Sequence, residues 1–374
     1  MNFLFACGGT AGHINPAIAV AGRLKELLPD SKFLFVGAKG RMEADLVPRA
    51  GYDIKLVDIT NLQRKLNLEG IKHNLITAKN VVLSLVESRK IISQFQPDVV
   101  IGTGGYVCFP VLRAAQSMGI PTVLHESNAV PGLTTKMLAG RVNAMMVGFE
   151  ESKHCYKNPE KVTVTGTPVR GDFRTYSKSS AKAELGIDKD KPLIVSVWGS
   201  LGAMRMNEIM ADFIAENHET NDFCLIHSAG TERYEAMLAR LKGECPTGYT
   251  HRGIDVRPYI YDMSRVMAAA DLVLCRAGAS TLSELAIMGK PAVLVPSPNV
   301  TNNHQEKNAR VLEQAGGAIV LTEPGLNSEV LGKTVLDLIH DETRLAQMEQ
   351  DMRACGVVDA TERITDVVLS LVAK

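Results

Sequence analysis

At 374 residues, 45% of them hydrophobic but only 5% aromatic, the chain is too long for one ordinary core and too apolar to be mainly disordered; about two domains are expected. Its 41 Lys and Arg balance 41 Asp and Glu, so no overall field gathers nucleic acid, which is set aside as a partner, and any membrane contact has to come from a local patch. Seven scattered cysteines without a C-x-x-C argue against a disulfide framework and a thiolate zinc site, and no His, Cys or carboxylate set has metal-ligand spacing.

The sequence opens on a strand, Asn2 to Ala6, with no basic segment and apolar run ahead of it, and no stretch approaches the roughly 20 apolar residues of a membrane span. A cytosolic protein that at most lies on a membrane is expected. Cys7, Gly8, Gly9, Thr10, Ala11, Gly12 and His13 close the strand, and helical spacing follows from Pro16 to Leu28. Strand, glycine loop and helix in that order aim N–H groups at an anion. The same glycines also suit a plain tight turn, and His13 a helix cap or packed ring. The spacing is not G-x-G-x-x-G, since the glycine after Gly12 is Gly22.

Lys32 to Gly37 reads as a second strand and Met42 to Ala50 as a helix. From Asn61 to Lys90 basic residues fringe a helically spaced apolar series, which fits a helix lying on anionic lipid and equally a helix with one face on its own sheet. Asp98 to Ile101 is a strand that runs into Gly102, Thr103, Gly104, Gly105 and Tyr106, then a helix to Met118, then a strand around Val123. His125, Glu126, Ser127 and Asn128 follow, a quartet that turn chemistry alone would also explain. Val162 to Val164 precedes the expected crossing between domains, Thr165 to Arg170, and Thr175 to Lys191 reads as solvated surface.

The second half repeats the first. Leu193 to Val197 runs into Trp198, Gly199, Ser200, Leu201, Gly202 and Ala203 as the first strand runs into its glycine loop. Asp271 to Leu294 repeats D-V-V-I, glycine turn, helix and M-G-I-P-T-V-L as D-L-V-L, turn at Gly278, helix opening at Ser280 and Thr281 with Glu284 in its first turn, and M-G-K-P-A-V-L. Between them Leu225 and Ile226 make a strand, and Tyr259 to Asp262 precedes a helix. After the strand from Ala292 to Val295 comes a loop rich in neutral hydrogen-bonding groups, Pro296 to Gln305, and Ala360 to Val372 forms a closing helix. Two tandem doubly wound domains follow, 1–166 with 359–374 returning to it, and 167–358, with glycine loops from both halves lining one cleft. No G-x-S-x-G and no P-loop is present. Two glycine loops, the cation Arg170 and an amide-rich loop suit glycosyl transfer from a nucleotide diphosphate sugar; hydride transfer lacks its fingerprint.

Several motifs then carry a resemblance that runs from end to end: G-G-T-x-G-H at Gly8 to His13, R-M-E-A-D-L-V-P at Arg41 to Pro48, G-G-Y-V at Gly104 to Val107, H-E-x-N at His125 to Asn128, P-V-R at Pro168 to Arg170, G-S-x-G-A at Gly199 to Ala203, and the whole of Cys275 to Ala309. The chain resembles the MurG family of peptidoglycan transferases. The resemblance implies an α/β GT-B fold, two Rossmann-like domains facing a central cleft, and an inverting transfer needing no metal or cofactor. GlcNAc would pass from UDP-GlcNAc to the C4 hydroxyl of the MurNAc-pentapeptide of undecaprenyl-pyrophosphoryl lipid I, giving lipid II.

It implies His13 as general base and Thr10, Ala11 and Gly12 near the donor, with Gly9, Thr10, Gly104, Gly105 and Tyr106 at the acceptor phosphate. Asn128 would meet the donor sugar region, Arg170 and Ser200 the diphosphate, and Ile260 the uracil through its backbone. Ala279, Ser280, Thr281 and Leu282 would supply a helix N-terminus, Glu284 would hold the ribose, and His304 and Gln305 the GlcNAc hydroxyls, Gln305 reading their orientation. The cytoplasmic membrane face, reached peripherally through an anionic lipid surface, and other cell-wall synthesis proteins are the implied surroundings. Ala11, Leu201 and His304 depart from common family choices. A diacylglycerol glycosyltransferase, a silent UDP-sugar-binding protein and a UDP-sugar epimerase are the competing readings.

Overall fold

The computed structural model describes residues 1–59, 68–169, 173, 175–199, 202–220, 222–245, 248, 250 and 253–372, and only the backbone of residues 68–79 and 301. Arg170, Ser200 and Leu201, and the basic stretch from Asn61 to Asn67, lie outside the described residues. The chain divides into two compact units, Met1–Arg170 with Val357–Lys374, and Gly171–Gly356.

Unit 1 alternates β1 (Asn2–Cys7), α1 (Ala11–Leu27), β2 (Lys32–Ala38), α2 (Glu43–Arg49), β3 (Asp53–Val57), α3 (Leu68–Phe95), β4 (Val99–Gly104), α4 (Cys108–Ser117), β5 (Thr122–Glu126), α5 (Leu133–Ala139), β6 (Ala144–Val147) and β7 (Val162–Val164). Unit 2 follows with α6 (Lys178–Glu184), β8 (Leu193–Val197), α7 (Met204–Asn217), β9 (Cys224–Ser228), α8 (Tyr234–Glu244), β10 (Ile254–Arg257), α9 (Met263–Ala269), β11 (Leu272–Cys275), α10 (Ala279–Met288), β12 (Ala292–Leu294), α11 (His304–Gln314), β13 (Ala318–Val320), α12 (Ser328–Ile339) and α13 (Glu342–Ala354). The last helix, α14 (Ala360–Val372), returns to unit 1.

Among the described residues each unit has one parallel sheet, ordered β3-β2-β1-β4-β5-β6-β7 and β10-β9-β8-β11-β12-β13. Strands buried on both faces read as continuous apolar runs, which is how Phe3, Leu4, Phe5 and Ala6 behave. Phe3 and Phe5 face α1 and α14, joining Ile14, Leu24, Ile364 and Val368. Leu4 and Ala6 face α4, joining Val111 and Leu112. Phe5 pairs with Phe35 in register and their rings stack 5.0 Å apart. Strand order reverses between β1 and β4 and between β8 and β11, the points where such sheets open a crevice at their carboxyl ends.

The repeated M-G tells where two helices stop. Gly119 and Gly289 both take left-handed backbone (φ 74° and 63°), and the next amide, of Ile120 or Lys290, bonds back to Ala115 or Leu285. Starts were harder to place. Helix α1 begins at Ala11, five residues before Pro16, because the proline sits inside the helix instead of opening it. Helix α10 begins at Ala279, so Glu284 falls in its second turn and not its first. His304 and Gln305 are not loop residues: left-handed Asn302 and Asn303 turn the chain and α11 starts directly behind them.

The closing helix is an integral wall of unit 1. Ile364 is 1% exposed, so Ile364→Ala should lower the unfolding free energy by roughly 2–5 kcal/mol, checked by urea denaturation followed by circular dichroism.

Candidate active site

In unit 1 the loops after β1 and β4 touch through bare backbone. A Cβ on Gly105 (φ 90°) would lie 2.3 Å from the Gly8 carbonyl oxygen, and one on Gly104 (φ 119°) 2.3 Å from Nδ1 of His13. Gly8 N–H donates to the Gly104 carbonyl (3.3 Å), and the Thr103 hydroxyl donates to the His13 carbonyl (2.7 Å). His13 therefore sits in the first turn of α1 with its ring against the second glycine loop. Thr10 precedes the helix in extended backbone, exposed, and its hydroxyl makes no capping bond. Ala11 leads the helix, where an amide has no acceptor within the helix. Tyr106, 45% exposed, stands directly after the second loop.

Two buried carboxylates brace loops of this unit, Glu43 the one after β1 and Glu126 the one after β5. Glu43, 0% exposed, accepts from Gly9 N–H and Ala38 N–H, each at 2.9 Å. The Gly9 amide is thus turned toward the buried Glu43 carboxylate. Glu126 accepts from the backbone and side-chain amides of Asn128 (3.1 and 2.9 Å), from Gly132 N–H (3.0 Å) and from Thr135 Oγ1 (2.7 Å). Within the quartet after β5, Asn128 is held on Glu126 by turn chemistry. His125 is buried against the Gly166 carbonyl (2.8 Å), and burial pushes its pKa below the ordinary value.

Unit 2 holds a cavity of about 820 Å³ at the ends of β8, β11 and β12, with Gly199, Gly202, Gly278, Thr281, Ser297 and Gln305 on its walls. Gly202 can approach the Ala229 carbonyl only because it has no Cβ, which would lie 2.1 Å from that oxygen. Gln305 uses its oxygen to accept from Ser297 N–H (2.9 Å), which fixes the orientation of its amide. Ile260, 2% exposed, lies between β10 and α9. Ala279, Ser280 and Leu282 share the first turn of α10 with Thr281, and Glu284 follows on the next turn, where its charge adds to burial in raising the Cys275 thiol to about 12.

Sequence reasoning missed Arg276 and Glu323. The Arg276 guanidinium lies 5.8 Å from the Trp198 ring, donates to the Val295 carbonyl (3.0 Å) and pairs with Glu323 at 2.5 Å, so one side chain ties together the ends of β8, β11, β12 and β13. The signal was an arginine immediately after a parallel strand, set in the glycine turn itself. Trp198 Nε1 donates to Ser196 Oγ (2.8 Å), which leaves the hydroxyl proton for His227 Nδ1 (2.9 Å).

The profile of the glycosyltransferase family 28 N-terminal domain matches residues 3–147 and that of its C-terminal domain residues 193–364. Two parallel sheets carrying these two domains define a glycosyltransferase of GT-B fold. The UDP-N-acetylglucosamine--N-acetylmuramyl-(pentapeptide) pyrophosphoryl-undecaprenol N-acetylglucosamine transferase of Acetivibrio thermocellus is 42% identical over 368 residues, 98% of this chain and 97% of that protein. The protein of the same name from Thermoanaerobacter sp. strain X514 is 43% identical over 371 residues, 99% of this chain and all of that one. The crystal structure of Acinetobacter baumannii MurG matches with a TM-score of 0.77 and 26% identity across 99% of both chains. The chain belongs to the MurG family.

Burial alone lowers the His227 pKa to about 3, and its Nε2 has no partner among the described residues. An unfolded chain takes up a proton at about pH 6.5 that the folded chain refuses. Stability contributed by the neutral ring is complete above that pH and should fall by about 1.4 kcal/mol per pH unit as pH drops toward 3. The difference in slope between the wild type and His227→Gln, from urea unfolding at several pH values, measures it.

Proposed function

We propose that the chain transfers GlcNAc from UDP-GlcNAc to the C4 hydroxyl of the MurNAc-pentapeptide carried on undecaprenyl pyrophosphate, forming lipid II in peptidoglycan synthesis. The observation that carries this reading is end-to-end identity of about 42% with a relative that bears that activity in its name, since it spans both units and not the donor half alone.

His13 accepts the proton of the C4 hydroxyl as that oxygen attacks the anomeric carbon of GlcNAc. The bond to UDP breaks on the opposite face, UDP leaves with the electron pair, and configuration inverts. Arg170, Ser200 and the N-terminal turn of α10 stabilise the charge that grows on the diphosphate. Ile260 meets the uracil, Glu284 the ribose hydroxyls, Asn128 the donor sugar region, and His304 and Gln305 the GlcNAc hydroxyls. The acceptor phosphate lies along Thr10 and the Gly104, Gly105 and Tyr106 loop. Among the described residues no helix is long and apolar enough to cross a membrane. The chain works at the cytoplasmic face as a peripheral protein, resting Val82 and Val86, 61% and 63% exposed and one turn apart on α3, with Arg89 and Lys90, on anionic lipid.

Purified protein given radiolabelled UDP-GlcNAc, with a lipid I analogue and diacylglycerol in parallel and EDTA present, should label the lipid I analogue alone. Labelled diacylglycerol instead would overturn the acceptor. In the same assay His13→Ala should lower kcat by about 10²- to 10⁴-fold while UDP binding stays nearly constant; equal losses in both would remove His13 from the role of base. Gln305→Ala should weaken the preference for UDP-GlcNAc over its C4 epimer by about tenfold, measured as a ratio of kcat/KM values.

A further inference from the structure

Glu43 stands at the first position of α2, 34 residues from the loop it braces, and is fully buried. Two glycines make room for it: a Cβ on Gly8 would lie 2.2 Å from its Oε1, and one on Gly37 2.4 Å from its Cγ. Among the described residues its carboxylate accepts from two backbone amides, Gly9 N–H on Oε2 and Ala38 N–H on Oε1, each at 2.9 Å. Burying a carboxylate is costly unless its oxygens are hydrogen-bonded, so each of these bonds matters more than an exposed one would.

The bond to Gly9 fixes a peptide plane. The N–H of Gly9 and the carbonyl of Gly8 belong to one planar peptide and point opposite ways. With the N–H held by Glu43, the Gly8 carbonyl is directed at the second glycine loop, where it touches the position a Gly105 side chain would occupy. That loop in turn lies against the His13 ring through Gly104 and carries Tyr106. Glu43 therefore stands behind the whole acceptor side of unit 1 while meeting none of the reacting groups.

We propose that Glu43 is a positioning residue for the acceptor: by holding the Gly8–Gly9 peptide it sets both glycine loops and the seat of His13. The inference rests on the transfer reading above. Transfer by the wild type to the lipid I analogue tests that reading, and the variant tests Glu43 alone.

The experiment compares the full-length wild type with Glu43→Gln. The amide has nearly the same shape but can accept from only one of the two N–H donors, and its NH₂ faces the other, so one amide loses its partner. With UDP-GlcNAc saturating, kcat/KM for the lipid I analogue should fall about tenfold or more, and the UDP dissociation constant by calorimetry should change less than about twofold. A structural anchor with no role in positioning would leave the acceptor kinetics unchanged in folded protein, or weaken UDP binding to the same degree, and either result overturns the proposal. Should Glu43→Gln not fold, amide hydrogen exchange on the wild type decides instead. Gly9 should exchange far more slowly than Thr10 and stay protected when the acceptor analogue binds; exchange as fast as that of Thr10 means that the carboxylate does not hold the peptide.

Discussion

At the carboxyl ends of β1 and β4 two stretches of main chain come so close that no side-chain carbon fits between them, and the site in unit 1 follows from that approach. Gly8, Gly104 and Gly105 are glycines because an oxygen or a ring already occupies the space a Cβ would need. The parallel sheet enforces the proximity, since its order reverses between these two strands and their loops leave on opposite sides of one crevice. Unit 2 repeats the constraint in its own terms, with Gly202 pressed on the Ala229 carbonyl. Helix α1 can start at Ala11, and His13 can reach the second loop, only because the backbone in between takes up so little room.

Charge is used differently in the two units. In unit 1 the buried acids Glu43 and Glu126 sit behind the loops and gather backbone amides, the Asn128 side-chain amide and a hydroxyl. In unit 2 the organising group is a cation: Arg276 gathers a carbonyl, a carboxylate and an indole face across four strand ends. Each unit also carries backbone of the kind that can meet an anion, glycine loops in the first case and the N-terminus of α10 in the second. Lys290 shows what burial does to a cation. Burial lowers its pKa to about 8, and it is held by the carbonyls of Ala268 and Ala270.

Much of this was legible beforehand. Parallel strands buried on both faces read as short apolar runs, and the repeated M-G before Ile120 and Lys290 disclosed the tandem design because left-handed helix ends need glycine. The family motifs then pointed to residues that fall at strand ends. Helix starts were less legible. Pro16 looks like an opening residue, and Asn302 and Asn303 look like loop until their positive φ is seen to launch α11. Least legible were Glu43 and Arg276, whose partners lie far along the chain. Glu43 stands in the R-M-E-A-D-L-V-P motif, but nothing local says that Gly8 and Gly37 are hollowed out for it.

The closing helix has a consequence for how the chain is made. Residues 360–372 pack on α1, yet they are translated after the whole of unit 2. A ribosome therefore releases all the strands of the first sheet with one face of α1 and β1 still uncovered, and then the entire second unit, before the missing wall arrives. Over that interval Ile14, Leu24 and Phe5 lack their last neighbours, so the N-terminal unit is the first to begin and the last to be finished.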